Sequence, residues 1–264
     1  MNLNLEGRTA LVTGSTAGIG LAIAHALACE GAHVIVNGRT QERVDAVRTQ
    51  IRDKIPQAKI DGIAADLGSS AGCASVLRNF PDIDILVNNL GIFEPKPFEQ
   101  IPDTEWNRFF EVNVMSGVRL SRGYLSGMKK RNWGRIVFIS SESGVQIPAE
   151  MVHYGMTKSA QIAIARGIAE TCAGTAITVN SVLAGPTASE GVTEFVASLA
   201  KEQGISAGEF EKEFFRNVRP SSLLKRFTRP DEVAAVVAFV CSPAASAING
   251  TALRADGGVV KSAF

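Results

Sequence analysis

Thr9-Ala10-Leu11-Val12-Thr13-Gly14-Ser15-Thr16-Ala17-Gly18-Ile19-Gly20 runs from a short apolar segment through three spaced glycines into Leu21–Glu30, which carries helical spacing. Strand, glycine turn and helix in that order form the context of a dinucleotide-binding loop. Gly14 allows the tight turn, Gly18 lets the backbone approach a pyrophosphate, and Gly20 permits close helix packing. The start of the helix then offers free N–H groups and a partial positive charge to phosphate. A plain βα turn has the same outline, so the reading depends on the rest of the chain.

Outward from the loop the alternation continues. Ala32–Val36 reads as a second strand, Gln41–Ile55 as a helix closed by Pro56, and Lys59–Ala65 as a third strand. A short helix over Ser70–Asn79 and a fourth strand over Asp82–Val87 follow, then a Pro-marked loop and one long helical pattern from Thr104 to Arg131. Gly134–Ile139, Thr175–Ser181 and Thr251–Arg254 complete seven strands, with helices at Tyr154–Cys172 and Pro230–Cys241 between them. Strands alternating with helices imply parallel pairing and right-handed crossovers. Ligands in such sheets sit at the carboxyl ends of the strands, where Gly14, Arg39, Asp66 and Asn88 all fall.

The composition bounds the class. A chain of 264 residues with 45% hydrophobic and 20% charged residues suits one large α/β domain, and no repeat, charge block or linker divides residues 1–264. A formal charge of +1 gives no electrostatic case for nucleic acid or an anionic membrane. No apolar run approaches the ~20 residues of a membrane span, and Met1–Arg8 lacks the regions of a signal peptide, so a cytoplasmic protein is expected. Cys29, Cys73, Cys172 and Cys241 are scattered and read as reduced core thiols, with no metal site; His153 reads as a loop residue.

Two local signals point to chemistry. In Tyr154-Gly155-Met156-Thr157-Lys158 the phenol and the ammonium lie four residues apart and share a helix face. A phenol titrates near ~10, and a fixed positive charge nearby favours its phenolate, so the pair can give a proton to a forming alcohol or take one away. At the end of the second strand, Gly38-Arg39 stands where a carboxylate would accept an adenosine ribose. A guanidinium there matches a 2′-phosphate, which favours NADP(H) over NAD(H), with NAD(H) still possible. Asn113 in mid-helix is mildly unfavourable and calls for a buried hydrogen bond or a local distortion.

With these residues assembled, the chain resembles the short-chain dehydrogenase/reductase family over essentially its whole length. The matching motifs are Thr13-Gly14-x-x-x-Gly18-x-Gly20, Asp66-Leu67, Asn88-Asn89-x-Gly91, Asn113, Ser141, Tyr154-x-x-x-Lys158 and the stretch from Asn180 to Thr187. The resemblance implies a Rossmann-type, doubly wound parallel sheet of seven strands in the order 3-2-1-4-5-6-7, flanked by helices on both faces. It implies an oxidoreductase that moves hydride between a nicotinamide cofactor and a carbonyl or secondary alcohol, with Tyr154 as proton donor or acceptor. Ser141, 13 residues before Tyr154, would orient the carbonyl in preference to Ser140. Lys158 would bind the nicotinamide ribose and lower the phenol pKa, and Asn113 would hold a water that links Lys158 to a proton relay. Gly14, Ser15, Thr16, Gly18, Ile19, Gly20, Arg39, Asp66, Leu67, Asn89, Gly91, Tyr154, Lys158, Gly185 and Thr187 make up the implied cofactor set.

Two positions depart from the family pattern: Leu90 replaces an alanine and Ala184 a proline, which bears on loop geometry and not on the reaction. The family commonly forms tetramers through its two long helices, so a homotetramer or homodimer is expected. Residues from about 187 to 220, rich in phenylalanine (Phe195, Phe210, Phe214, Phe215), interrupt the alternation as a helical substrate flap would; an extra surface helix pair is the alternative. A 3-oxoacyl thioester is the concrete substrate expected. The competing reading is a nucleotide-sensing regulatory protein with the same fold, although such relatives typically lose Tyr or Lys from the set.

Overall fold

Four apolar runs, at Leu11-Val12, Val34-Ile35-Val36, Leu86-Val87 and Ile136-Val137-Phe138-Ile139, are buried on both faces, as parallel strands covered by helices on each side must be. The computed structural model describes residues 2–202 and 204–263, leaving out the side chains of Glu194, Phe195, Ser198, Leu199, Lys201 and Glu202. Seven strands form one sheet: β1 (Thr9–Val12), β2 (His33–Gly38), β3 (Ile60–Ala64), β4 (Ile85–Asn88), β5 (Gly134–Ser141), β6 (Ile177–Ala184) and β7 (Ala252–Ala255). Their order is β3-β2-β1-β4-β5-β6-β7, and every pairing is parallel, as expected.

The helices are α1 (Gly18–Cys29), α2 (Gln41–Lys54), α3 (Ser70–Asn79), α4 (Asp103–Phe110), α5 (Ser116–Arg131), α6 (Val152–Glu170), α7 (Glu190–Glu202), α8 (Ala207–Glu213) and α9 (Pro230–Cys241). One apolar core packs α1, α2 and α9 on one face of the sheet, and a second packs α3, α5 and α6 on the other. Local chemistry sets the helix starts. The Thr40 and Ser69 hydroxyls accept the Arg43 and Gly72 N–H groups at the heads of α2 and α3, and Pro230 opens α9. Among the described residues no helix is long and apolar enough to cross a membrane.

Three expectations change. The pattern Thr104–Arg131 is not one helix: a π-turn at Glu111–Met115 separates α4 from α5. The Asn113 carbonyl in that turn accepts the Gln161 side-chain amide at 2.6 Å, so the distortion and the buried hydrogen bond occur together. His153 is not a loop residue but the second residue of α6, buried against the Phe109 ring with centroids 4.0 Å apart. Cys29 is exposed, whereas Cys73, Cys172 and Cys241 are buried; all four are free.

Candidate active site

Ser141 ends β5, and Tyr154 and Lys158 stand one turn apart at the start of α6, so the two elements deliver three polar side chains to one cavity of about 380 Å³. The Ser141 hydroxyl accepts the Ser143 N–H at 3.1 Å, which leaves its own proton free to donate. Lys158 is buried; its Nζ donates to the Ile139 carbonyl at 2.8 Å and to Gln161 Oε1 at 3.2 Å, 5.5 Å from the centre of the Tyr154 ring. Burial pushes the ammonium down to about 8. Burial also pushes the Tyr154 phenol up to about 12, with Ser141 pulling it back. The loss of solvent around the phenol is the largest influence on it, and the groups that lower it are Ser141 and Arg219 rather than the expected Lys158.

Asn113 is fixed on three sides. Its Oδ1 accepts the Ile92 N–H at 2.8 Å, while its Nδ2 donates to the Ile92 carbonyl at 2.9 Å and to the Thr157 hydroxyl at 3.0 Å. Thr157 in turn donates to the Tyr154 carbonyl at 2.7 Å. A Cβ on Gly91 would lie 3.5 Å from both Asn113 Oδ1 and Lys158 Nζ, so the loop after β4 runs against this cluster.

The glycine loop adjoins it. Ile19, Asn89, Gly91, Gly185 and Thr187 line the same cavity as Ser141, Tyr154 and Lys158. Asn89 Nδ2 donates to the Thr13 and Gly14 carbonyls, which holds the loop against β4. Gly14 and Gly18 take positive φ values of 58° and 55°, a region that favours glycine. α1 opens with no side-chain cap and no acidic residue in its first turn, so its leading N–H groups are free for an anion. Arg39 is exposed and makes no hydrogen bond or ion pair with any described residue. This donor set fits a dinucleotide phosphate.

Other implied residues face elsewhere. The Ser15 hydroxyl is fully buried, donating to the Val12 carbonyl at 2.7 Å, the Ser15 N–H donates to the Asn37 carbonyl at 2.9 Å, and the Leu67 side chain lies in the second core, so neither side chain faces the cavity. Asp66 is exposed, its Oδ1 accepting the Gly68 N–H at 3.0 Å. Thr16 packs against Gly38, where a Cβ would sit 2.4 Å from the threonine methyl. Leu90 packs against Gly14 and the second core, and Ala184 joins the first.

A family model described as short chain dehydrogenase matches residues 8–200. The chain belongs to that family. It is thereby an oxidoreductase of the class that interconverts CH–OH and C=O groups. The uncharacterized oxidoreductase YvaG of Bacillus subtilis is 50% identical over 264 residues, covering 100% of both chains. The 3-oxoacyl-[acyl-carrier-protein] reductase FabG of Aquifex aeolicus is 36% identical over 263 residues, covering 98% of this chain and 100% of that one. Among solved structures, L-sorbose reductase from Gluconobacter frateurii, complexed with NADPH and L-sorbose, superposes with a TM-score of 0.92 at 30% identity, covering 99% of this chain and 100% of that one.

Several residues of this short-chain dehydrogenase escaped the sequence reading. Gln161 bridges the Asn113 carbonyl and the Lys158 ammonium, its Nε2 donating to the first and its Oε1 accepting from the second. It lies one turn beyond Lys158 on α6, a signal too common to notice. Asn37 accepts the Gly14 N–H and donates to the Ile63 and Ala65 carbonyls, joining the glycine loop to two strands. Arg43, in the first turn of α2, reaches to within 3.9 Å of Glu190 at the head of α7. Glu142 and Arg219 form a buried ion pair in the cavity wall.

Proposed function

We propose that this protein is an NADP(H)-dependent carbonyl reductase or alcohol dehydrogenase in which Tyr154 handles the proton. The observation that carries the reading is the meeting of Ser141, Tyr154 and Lys158 in one cavity with the glycine loop at its edge. Ser141 donates to the substrate carbonyl oxygen and fixes its position. Tyr154 gives its phenolic proton to that oxygen as the alcohol forms, and accepts it in the reverse direction. Lys158, held by Ile139 and Gln161, keeps its charge near the phenolate so formed and serves as a ribose ligand. Bound nicotinamide supplies or accepts the hydride.

The leading N–H groups of α1 hold the pyrophosphate, and Arg39 receives a 2′-phosphate, as the unpaired guanidinium favours. NADPH is named in the complex of L-sorbose reductase, which agrees with that preference. α7, α8 and the π-turn Phe214–Val218 act as a substrate flap: Val192, Val196, Phe210, Phe214 and Val218 line the cavity, while the side chain of Phe195 lies outside the described residues. A 3-oxoacyl thioester remains the concrete substrate, in keeping with the name of the Aquifex relative. Residues 1–264 work as one cytoplasmic unit. It assembles as a homotetramer or homodimer through α5 and α6, whose outer groove carries Val118, Leu125, Ile164 and Ile168.

The test is loss of NADPH absorbance with β-ketoacyl thioesters, aldehydes, quinones and keto-sugars. Tyr154→Phe is expected to lower turnover at least about 10²-fold while NADPH still binds. Full turnover in that variant would sink the mechanism. Tight NADPH binding with no reduction of any carbonyl would instead favour the sensor reading.

A further inference from the structure

An ion pair, Glu142 and Arg219, is buried in the largely apolar wall of the substrate cavity, with the half-exposed Glu150 at its edge. Arg219 follows the π-turn Phe214–Val218 and borders the cavity, with its side chain 9% exposed. Its Nε donates to Glu142 Oε1 at 2.9 Å, and its Nη1 donates to Glu150 Oε1 at 3.1 Å and to the Val218 carbonyl at 3.0 Å. The Glu142 side chain is 4% exposed, and its Oε2 accepts the Ser143 hydroxyl at 2.8 Å. A guanidinium carries five N–H donors, and these bonds use the three on Nε and Nη1. The two on Nη2 meet no acceptor among the described residues, yet Nη2 is not sealed from solvent.

Stability does not account for this arrangement. Burying an ion pair costs desolvation that the Coulomb attraction at best returns, so an apolar wall would serve the fold as well. Position points to the reaction instead. Glu142 directly follows Ser141, and the charges of Glu142 and Arg219 both reach the Tyr154 phenol. Two carboxyl groups, one buried and one at the solvent edge, share the one guanidinium. A neutral oxygen placed on Nη2 gains a charge-assisted hydrogen bond. A hydrocarbon there leaves desolvated donors unpaired, and a substrate carboxylate meets two like charges.

We propose that Arg219 is a specificity-determining residue whose free amine receives an uncharged oxygen of the substrate other than the reacting carbonyl, an ester, thioester or hydroxyl oxygen, while Glu142 and Glu150 turn away a free carboxylate. This rests on the carbonyl-reductase reading above.

The experiment compares kcat/KM with NADPH for four methyl ketones: S-acetoacetyl-N-acetylcysteamine, 4-hydroxybutan-2-one, pentan-2-one and acetoacetate. Wild type is expected to favour at least one of the first two over both others by at least about 100-fold. Whichever gains more, thioester or hydroxyketone, identifies the natural oxygen. The double variant Glu142→Gln/Arg219→Met removes both buried charges without stranding a buried carboxylate, and is expected to bring the ratios to pentan-2-one below about tenfold. Ratios to pentan-2-one, compared between wild type and variant, cancel the intrinsic reactivity of each carbonyl. Arg219→Lys, which keeps the charge and loses the fork, supplies the same comparison if the double variant does not fold. Turnover with a flat ranking in wild type, or a ranking that survives these substitutions, overturns this proposal alone. No turnover of these four, with turnover of an aldehyde, quinone or keto-sugar, also overturns this proposal alone; no turnover of any of these carbonyls by protein that binds NADPH overturns the carbonyl-reductase reading and this proposal with it.

Discussion

The side chain of Asn113 clasps the backbone of Ile92 in both directions, accepting its N–H at 2.8 Å and donating to its carbonyl at 2.9 Å. That clasp ties the π-turn between α4 and α5 to the loop after β4, and so seats Gly91 beside Lys158. Asn113→Ala removes both bonds and the one to Thr157. It is expected to cost about 1–3 kcal/mol in urea unfolding and to lower kcat, because Thr157 also holds the Tyr154 carbonyl. Unchanged stability would show that the loop is held by other contacts.

Arg39 is exposed at the end of β2 and pairs with no described residue, whereas Arg43 has Glu190 nearby. Arg39→Asp replaces a phosphate ligand with a carboxylate that repels phosphate and accepts a ribose hydroxyl. NADPH binding should weaken at least about tenfold more than NADH binding, as read by titration of cofactor fluorescence. Equal losses for the two would refute the NADP assignment.

Lys158 gives a pH signature. In the folded protein without cofactor its ammonium titrates at about 8, against an ordinary value of 10.5. Between those values the unfolded chain holds the extra proton, so stability rises with pH across that window; below about 8 the burial cost is fully present. Cys241 opposes this from pH 9 upward, since burial pushes its thiol up to about 12 and the unfolded thiol ionises first. The difference between wild type and Lys158→Met isolates the lysine. Wild type should gain about 3 kcal/mol relative to the variant from pH 7 to pH 10.5, measured by denaturant unfolding. A difference that does not change with pH would place the ammonium in contact with water.

Gly20 has no room for a side chain. A Cβ there would lie 2.4 Å from the Gly14 carbonyl oxygen and 2.5 Å from Asn89 Nδ2, the amide that holds the glycine loop to β4. Gly20→Ala should destabilise the protein by about 1–3 kcal/mol and weaken NADPH binding, whereas Gly167→Ala, with open space around it, should do neither. Thermal unfolding and cofactor titration of the two variants side by side would decide whether the loop tolerates a methyl group.

Much of this protein was legible because its signals are local. A strand-turn-helix run fixes the glycine loop, four-residue spacing puts Tyr154 and Lys158 on one face, and alternating elements impose a parallel sheet whose carboxyl ends gather the site. The periodicity around Asn113 could not reveal the break in its helix, because the Gln161 amide that meets the turn comes from another helix 48 residues away. Cys29 fits a helical pattern, yet the surface it faces is set by packing. His153 looked like a loop residue, yet α6 begins before it and Phe109 covers it. Glu142 and Arg219, 77 residues apart, carry no mutual signal in the sequence. Spacing along the chain determined which groups share a face. Only long-range packing decided which of them lose water, and that loss raises the Tyr154 phenol, lowers the Lys158 ammonium and buries a guanidinium in the cavity wall.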